Sequence, residues 1–509
     1  MMEQTTNKTI AKNTLLLYFR MMFTMVIALY TSRIVLQVLG VNDYGLYATV
    51  GGVVGMLAFL NAALSTGSSR FLTFELGTGD SDKLKKTFST VLSIHIFIAI
   101  VIVILAETVG LWFVYNKLAI PPDRMNAAIR VYHLSIITAI VSITQVPYNA
   151  SIISHEKMNV FAYVGMVDVS AKLGIVFLLQ VGNTDKLVLY AVLLCLIQIG
   201  VALFYRLYCI SKFKETRYKF VIDRDILKSV AGFSGWSLFA NLSFALNNQG
   251  MTIITNMFFG PAVVTARAIS VQVNMAAGQF MESFRTAANP QIVKKYAAED
   301  YSGSKQLLLN SAKYSFYLMF LLGLPIILSA EQLLRLWLGQ VPEYSAIFLR
   351  LIIVQSMFSV FDLSFYMALY TKGRLRENAL ISPLTGFIQF PIVYLLFKTG
   401  HSPVVLSYAG IIVYAVLGII IKPVLICKIA DYTLRDIMSV FVPCMKVCLA
   451  AIPIPVLLNY YLDKNLINFF IVSIVSVICV LIVIYYLGLN RRMRYKIVRT
   501  VKERINRNR

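Results

Sequence analysis

Residues 466–488 read LINFFIVSIVSVICVLIVIYYLG, without one charged side chain. At a rise of about 1.5 Å per residue, such a run matches the roughly 30 Å apolar thickness of a bilayer. It is about twice the length of a barrel strand and lacks the two-residue alternation that a barrel wall requires. It reads as a membrane helix, which places the fold among all-α polytopic proteins. Outward from it, the same reading finds windows at 14–38, 45–70, 87–115, 126–150, 158–181, 187–209 and 229–256. Others follow at 262–289, 307–329, 345–371, 378–398, 403–426 and 437–461, so that fourteen transmembrane helices are expected, the last at 465–488.

The composition agrees. Of 509 residues 58% are apolar and 14% charged, and the mean hydropathy is +0.73, whereas a soluble domain carries roughly 25% charged residues. No stretch is left over for a large catalytic domain. The six cysteines lie in or beside apolar runs and the four histidines lack ligand spacing, so neither a disulfide framework nor a metal site is expected, and no cofactor. The run 15–39 is too long for a signal-peptide core and is expected to be retained as the first helix.

The formal charge of +23 would suggest nucleic acid on a soluble protein, but its placement suggests topology. About 32 Lys and Arg fall in loops on the side of the termini, against about six on the other. Both termini are therefore expected in the cytoplasm, and no nucleic-acid partner is expected. In the tail, Met493, Ile497, Val501 and Ile505 recur at helical spacing among basic residues. An interfacial helix on the anionic leaflet and a merely solvated basic end both fit this pattern.

The chain repeats itself. Gly40, Thr66, Asp80 and Lys85 recur 220 positions later as Gly260, Thr286, Asp300 and Lys305, and the run 175–179 reappears at 392–396. Two copies of six helices, alike in orientation, are expected about an axis along the membrane normal, with the ligand between them. The organisation is an N-terminal lobe (1–210), a basic linker (211–228), a C-terminal lobe (229–426), two added helices (427–489) and a basic tail (490–509).

Ionised groups are costly at membrane depth, by roughly 2.5 to 3.5 kcal/mol on insertion scales, so those present should be paired, near an end, or facing a wet cavity. In the eighth span Arg267, Ser270, Asn274, Glu282, Arg285 and Asn289 share one helical face. In the seventh, Ser234, Ser237, Asn241, Asn248, Thr252 and Thr255 form a second stripe, and in the first Arg20, Thr24 and Thr31 form a third. Arg20, Arg267 and Arg285 outnumber Glu282, which can pair with Arg285 at i, i+3. The surplus favours an anionic ligand. Asp168 and Lys172 stand at ion-pair spacing, suited either to neutralisation or to coupling. Asp362 has no opposite charge within a turn, and a proton-carrying role is weighed for it. The absence of a GxxxxGK[ST] phosphate loop rules out self-powering by ATP.

The 6+6+2 plan, the segment LGVNDYGLY (39–47), and the Gly79-Asp80 loop with Lys83, Lys85 and Lys86 resemble the bacterial polysaccharide-export flippases. These are the Wzx-type lipid-linked oligosaccharide translocases of the multidrug, oligosaccharidyl-lipid and polysaccharide exporter superfamily. The resemblance implies a non-enzymatic protein of the bacterial inner membrane. It would carry an undecaprenyl-diphosphate-linked repeat unit from the cytoplasmic to the periplasmic leaflet by alternating access, for surface polysaccharide of the O-antigen or capsule kind. It further implies Arg20, Arg267 and Arg285 as diphosphate or acidic-sugar contacts, with Thr24, Asn241, Asn248 and Asn274 completing the substrate surface. Asp168, Asp362 and Glu282 are candidates for coupling to a cation, H+ or Na+, and glycan polymerase or ligase machinery is an implied partner. A cation-coupled multidrug antiporter and a peptidoglycan-precursor flippase are the alternatives. A membrane polymerase would need a long outer loop, and the longest here spans about 15 residues, 330–344.

Overall fold

A computed structural model of the chain describes residues 2–155, 157–181, 184–221, 223–490 and 493–495. The proposed tail helix lies outside them, apart from 493–495. The regular structure of the described residues is all helical, with no strand. Among the described residues, ten helical stretches are long and apolar enough to cross a membrane. The fourteen expected spans divide the chain more finely. Two that composition alone does not admit, Arg224–Ala245 and Pro261–Ala297, are those in which Ser, Asn and Arg dilute the apolar residues.

Contacts separate two units. The first comprises the chain up to Thr265 together with Pro383–Pro403. It contains α1 (Met2–Leu57), α2 (Phe59–Thr78), α3 (Ser81–Leu105), α4 (Leu111–Lys117), α5 (Met125–Ser154), α6 (Met158–Leu178), α7 (Lys186–Lys212), α8 (Arg224–Ala245) and α9 (Met251–Phe259). Its buried clusters include two that each join several helices. One joins Val35, Leu46 and Val50 of α1 to Val131 and Tyr132 of α5 and Leu187 of α7. The other joins Leu72, Phe88, Tyr148, Ile152 and Cys209. The Tyr132 hydroxyl donates to the Ala106 carbonyl at 2.7 Å, inside the π-helical turn Ala106–Gly110.

The second unit comprises Ala266–Ser382 and the chain from Val404 onward. Its helices are most of α10 (Pro261–Ala297), α11 (Tyr301–Leu328), α12 (Ala330–Leu338), α13 (Ser345–Thr371), the start of α14 (Leu375–Lys398), α15 (Val405–Ala415), α16 (Lys422–Ile429), α17 (Leu434–Ala451), α18 (Pro453–Tyr461) and α19 (Leu466–Val483). An aromatic ladder runs through it. Phe316 stacks on Phe361 at 5.1 Å, and Phe441 meets Phe361 edge-on at 4.9 Å, geometries worth about 0.5–1.5 kcal/mol each beyond burial. At the surface Phe97, Val109, Leu449 and Ile467 are more than 60% exposed, which suits lipid rather than water.

Two of the matched pairs share backbone geometry. Helix α1 is broken at Gly40 (φ 78°, ψ 170°), and Gly260, between α9 and α10, has φ 78° and ψ −178°. Such angles need glycine. Asp80 and Asp300, the next matched pair, each cap a helix: Asp80 accepts from the amide of Lys83 and Asp300 from that of Gly303. At the start of the second stretch of α1, Gly45 lies so close to the Pro261 carbonyl that a Cβ would stand 1.9 Å from it. Thr265 donates to the Val41 carbonyl beside it, at 2.6 Å. The GVNDYG segment is thus a packing joint.

Candidate functional site

Arg20 projects from α1 onto α6. Its guanidinium lies 4.4 Å from the Phe161 ring centroid, and a Cβ at Gly165 would meet its Nε at 2.6 Å. A missing side chain thus makes the groove, and an aromatic face, one turn before it, supplies weak compensation for the charge. Arg20 is half-buried and makes no ion pair among the described residues. Thr24, one turn on, donates to the Met21 carbonyl at 2.9 Å, so it can offer a ligand only its oxygen lone pairs.

On the same α6, Asp168 Oδ2 accepts from Lys172 Nζ at 2.7 Å. Its other oxygen, Oδ1, is buried without a partner among the described residues, so this carboxylate retains acceptor capacity.

The α8 stripe ends in a π-helical turn, Leu246–Gly250. π turns are rare and frequent at functional sites, and Asn248 stands in this one. Its amide donates to the Phe244 carbonyl at 3.0 Å and its own carbonyl accepts from Thr252 at 3.0 Å. Asn241 is half-buried on α8. Packing against α14 explains the glycine: a Cβ at Gly250 would stand 2.8 Å from Phe390. The side chains of Ser234 and Ser237 lie outside the described residues.

In the second unit, Arg267 is half-buried on α10. Asn274 on the same helix accepts from Ser356 of α13 at 2.7 Å. Arg285 is ion-paired with Glu282, the arginine 12% and the glutamate 61% exposed. Glu282 therefore neutralises Arg285.

Asp362 departs from the expectation of an isolated carboxylate. It is buried on α13 and faces Lys422 Nζ at 3.2 Å. Lys422 falls near the end of the expected span 403–426, where a lysine would reach the interface, yet it is 1% exposed. The π-helical turn Val416–Ile421 directly precedes it, and Gly418 in that turn approaches the Phe358 carbonyl so closely that a Cβ would stand 2.6 Å away. The added residue of the turn and the bare glycine carry Lys422 inward. Tyr366 faces the ammonium at 5.8 Å from its ring centroid.

A second cluster escapes sequence reading. Arg124, just ahead of α5, bridges Asp43 at 2.6 Å and Asp185 at 2.7 Å, tying the LGVNDYGLY segment to the start of α7. Asp43, the one acid of the motif, is the only hint of it in the sequence. No group of three or more metal-ligating side chains occurs among the described residues.

No protein-family model matches the chain, and no curated protein matches it. Solved structures do share its fold. A lipid II flippase, MurJ, in an inward closed conformation superposes with a TM-score of 0.71 at 12% identity, over 92% of this chain and 98% of its own. A multidrug resistance MATE family transporter of the MOP superfamily, inward-facing, gives 0.67 at 15% identity, over 81% and 99%. A MOP superfamily transporter from Pyrococcus furiosus, described as having a binding pocket of reversed polarity, gives 0.58 at 15%, over 84% and 96%. The chain therefore has the fold of the MOP superfamily transporters and is built as a multi-pass membrane protein. Its structural neighbours are transporters and a flippase rather than enzymes.

Proposed function

We propose that this exporter fold serves a flippase, one that carries an undecaprenyl-diphosphate-linked oligosaccharide from the cytoplasmic to the periplasmic leaflet of a bacterial inner membrane by alternating access. The product serves surface polysaccharide synthesis, with both chain termini cytoplasmic, the lobes 1–210 and 229–426 as the moving halves, and glycan polymerase or ligase machinery receiving the cargo. Arg20 carries this reading. It is a half-buried guanidinium in an apolar span, set on Phe161 and Gly165 with no carboxylate partner among the described residues. Its charge suits a diphosphate, which arginine engages through paired hydrogen bonds. Arg267 adds a second cation; Thr24, Asn241, Asn248 and Asn274 suit sugar hydroxyls, and Asp362 with Lys422 suits proton or sodium coupling, with Asp168 and Glu282 as further acids.

A drug antiporter would be expected to place carboxylates on the first, seventh or eighth span, and the first and seventh have none. A peptidoglycan-precursor cargo stays closer, because the lipid II flippase matches more of this chain than the multidrug transporter above. The test is replacement of Arg267 by Ala in cells that make the glycan. Undecaprenyl-linked repeat units accumulate on the cytoplasmic face if the reading holds; unchanged glycan export contradicts it, and loss of cell-wall synthesis instead identifies the precursor cargo.

A further inference from the structure

The second unit holds a cavity of ≈ 740 Å³ at the end of α11 remote from Lys294 and Lys295. Helix α12 forms one wall and the first turns of α13 another; its lining includes Glu331, Arg335, Tyr344 and Arg350. Its size lies within the range of roughly 300–1,000 Å³ seen for small-ligand sites.

Each wall presents its charge for a local reason. On α12, Ala330, Leu334 and Leu338 are at most 2% exposed and bury one face, which turns Glu331 and Arg335 outward. These two pair at 3.2 Å, with side chains 44% and 70% exposed. Such an exposed pair holds loosely and yields readily to a better acceptor. On α13, Arg350 Nε donates to the Ile327 carbonyl at 3.2 Å, in the last turn of α11. That bond fixes the guanidinium plane, and the two Nη groups have no partner among the described residues. Two guanidinium groups against one carboxylate leave the cavity cationic. The loop between the walls is bounded by residues with positive φ, Gly339 at 81° and Tyr344 at 66°. A tyrosine held there is a costly conformation of the kind found at ligand clamps.

We infer that this cavity binds a sugar bearing an oxyanion, a carboxylate or a phosphate, with Arg350 as the fixed fork and Arg335 as the mobile one. That the anion is carried by a sugar rests on the proposed glycan cargo; the anion selectivity does not. Arg20 and Arg267 take no part in it.

The test uses full-length protein in nanodiscs with Trp112 and Trp236 replaced by Phe, so that Trp337 on α12 reports binding by fluorescence. Glucuronate, glucose 6-phosphate, glucose and inorganic phosphate are titrated in turn. The expected result is a saturable change with one or both of the charged sugars, at least tenfold weaker with glucose and with inorganic phosphate. The two charged sugars distinguish a carboxylate site from a phosphate site. Arg335→Gln, on an exposed position that folding tolerates, and Arg350→Gln should each weaken the charged-sugar response tenfold or more, whereas Arg20→Gln should leave it unchanged. Equal response to glucose, no saturable response to either charged sugar, or unaltered binding in both cavity variants overturns the site. Inorganic phosphate binding as tightly as the sugars overturns the saccharide assignment. Loss of flipping in Arg20→Gln with binding here intact separates this inference from the proposed transport function.

Discussion

Gly40 and Gly45, five residues apart, constrain the chain in different ways: Gly40 has a left-handed φ of 78° with open space around its missing Cβ, while Gly45 sits against the Pro261 carbonyl. Conformation and sterics are therefore separable by alanine substitution. Gly40→Ala and Gly260→Ala should each cost about 1–2 kcal/mol, the price of a left-handed L-residue. Gly45→Ala drives a methyl into backbone and should cost about 3 kcal/mol or more. Chemical denaturation or thermal melting in detergent measures the order. Equal losses at all three positions would contradict the packing joint.

The Asp362–Lys422 pair calls for a double-mutant cycle. Removing one partner strands the other charge in an apolar interior, so Asp362→Asn or Lys422→Gln alone should lose about 3–5 kcal/mol. The double variant Asp362→Leu/Lys422→Leu should recover much of that stability. Transport by the double variant then distinguishes the roles: a stable but inactive protein assigns the pair to coupling, and a stable, active one assigns it to packing alone.

The bridge from Arg124 predicts an acid-sensitive joint. Partial burial pushes the Asp185 carboxyl up, but hydrogen bonds from Arg124 and the amides of Val188 and Leu187 outweigh it and hold the group below its ordinary value. A depressed carboxylate contributes stability that is present above its unfolded value, about pH 4, and is lost as pH falls through the lower folded value. Asp185→Asn should abolish that part of the acid dependence. A melting curve followed between pH 6 and pH 3 checks it, and an acid limb identical in wild type and variant would contradict it.

Phe161 and Gly165 predict how Arg20 is held. Gly165→Val should push the guanidinium off its groove and reduce transport about tenfold, while Phe161→Leu removes only a cation–π contact of about 0.5–1 kcal/mol and should reduce it about threefold. Initial transport rates at matched expression measure both. A valine variant as active as wild type would show that the groove does not position Arg20.

Legibility in the sequence followed range. The apolar runs were readable because a bilayer demands length and hydropathy from each helix separately, and Gly40 and Gly260 were readable as a matched pair because left-handed backbone needs glycine wherever it occurs. Asp168 with Lys172 and Arg285 with Glu282 were readable because helical spacing puts them in contact. Asp362 with Lys422, Arg20 with Phe161, and Arg124 with Asp43 were not, since each pair meets only through tertiary packing. Lys422 was misplaced for a further reason. Hydropathy puts a lysine near the end of an apolar run at the interface, and no periodicity rule anticipates the π turn and the bare Gly418 that carry it inward.

The central claim is that Arg20 meets the diphosphate of a lipid-linked saccharide. It is tested most directly by reconstituting the purified protein in liposomes with a fluorescent undecaprenyl-diphosphate-linked oligosaccharide and measuring its arrival in the opposite leaflet. Wild type should flip the lipid, Arg20→Lys should retain a measurable fraction of the rate, and Arg20→Gln should fall at least tenfold while still folded by its melting curve. Flipping by Arg20→Gln at the wild-type rate would contradict the account.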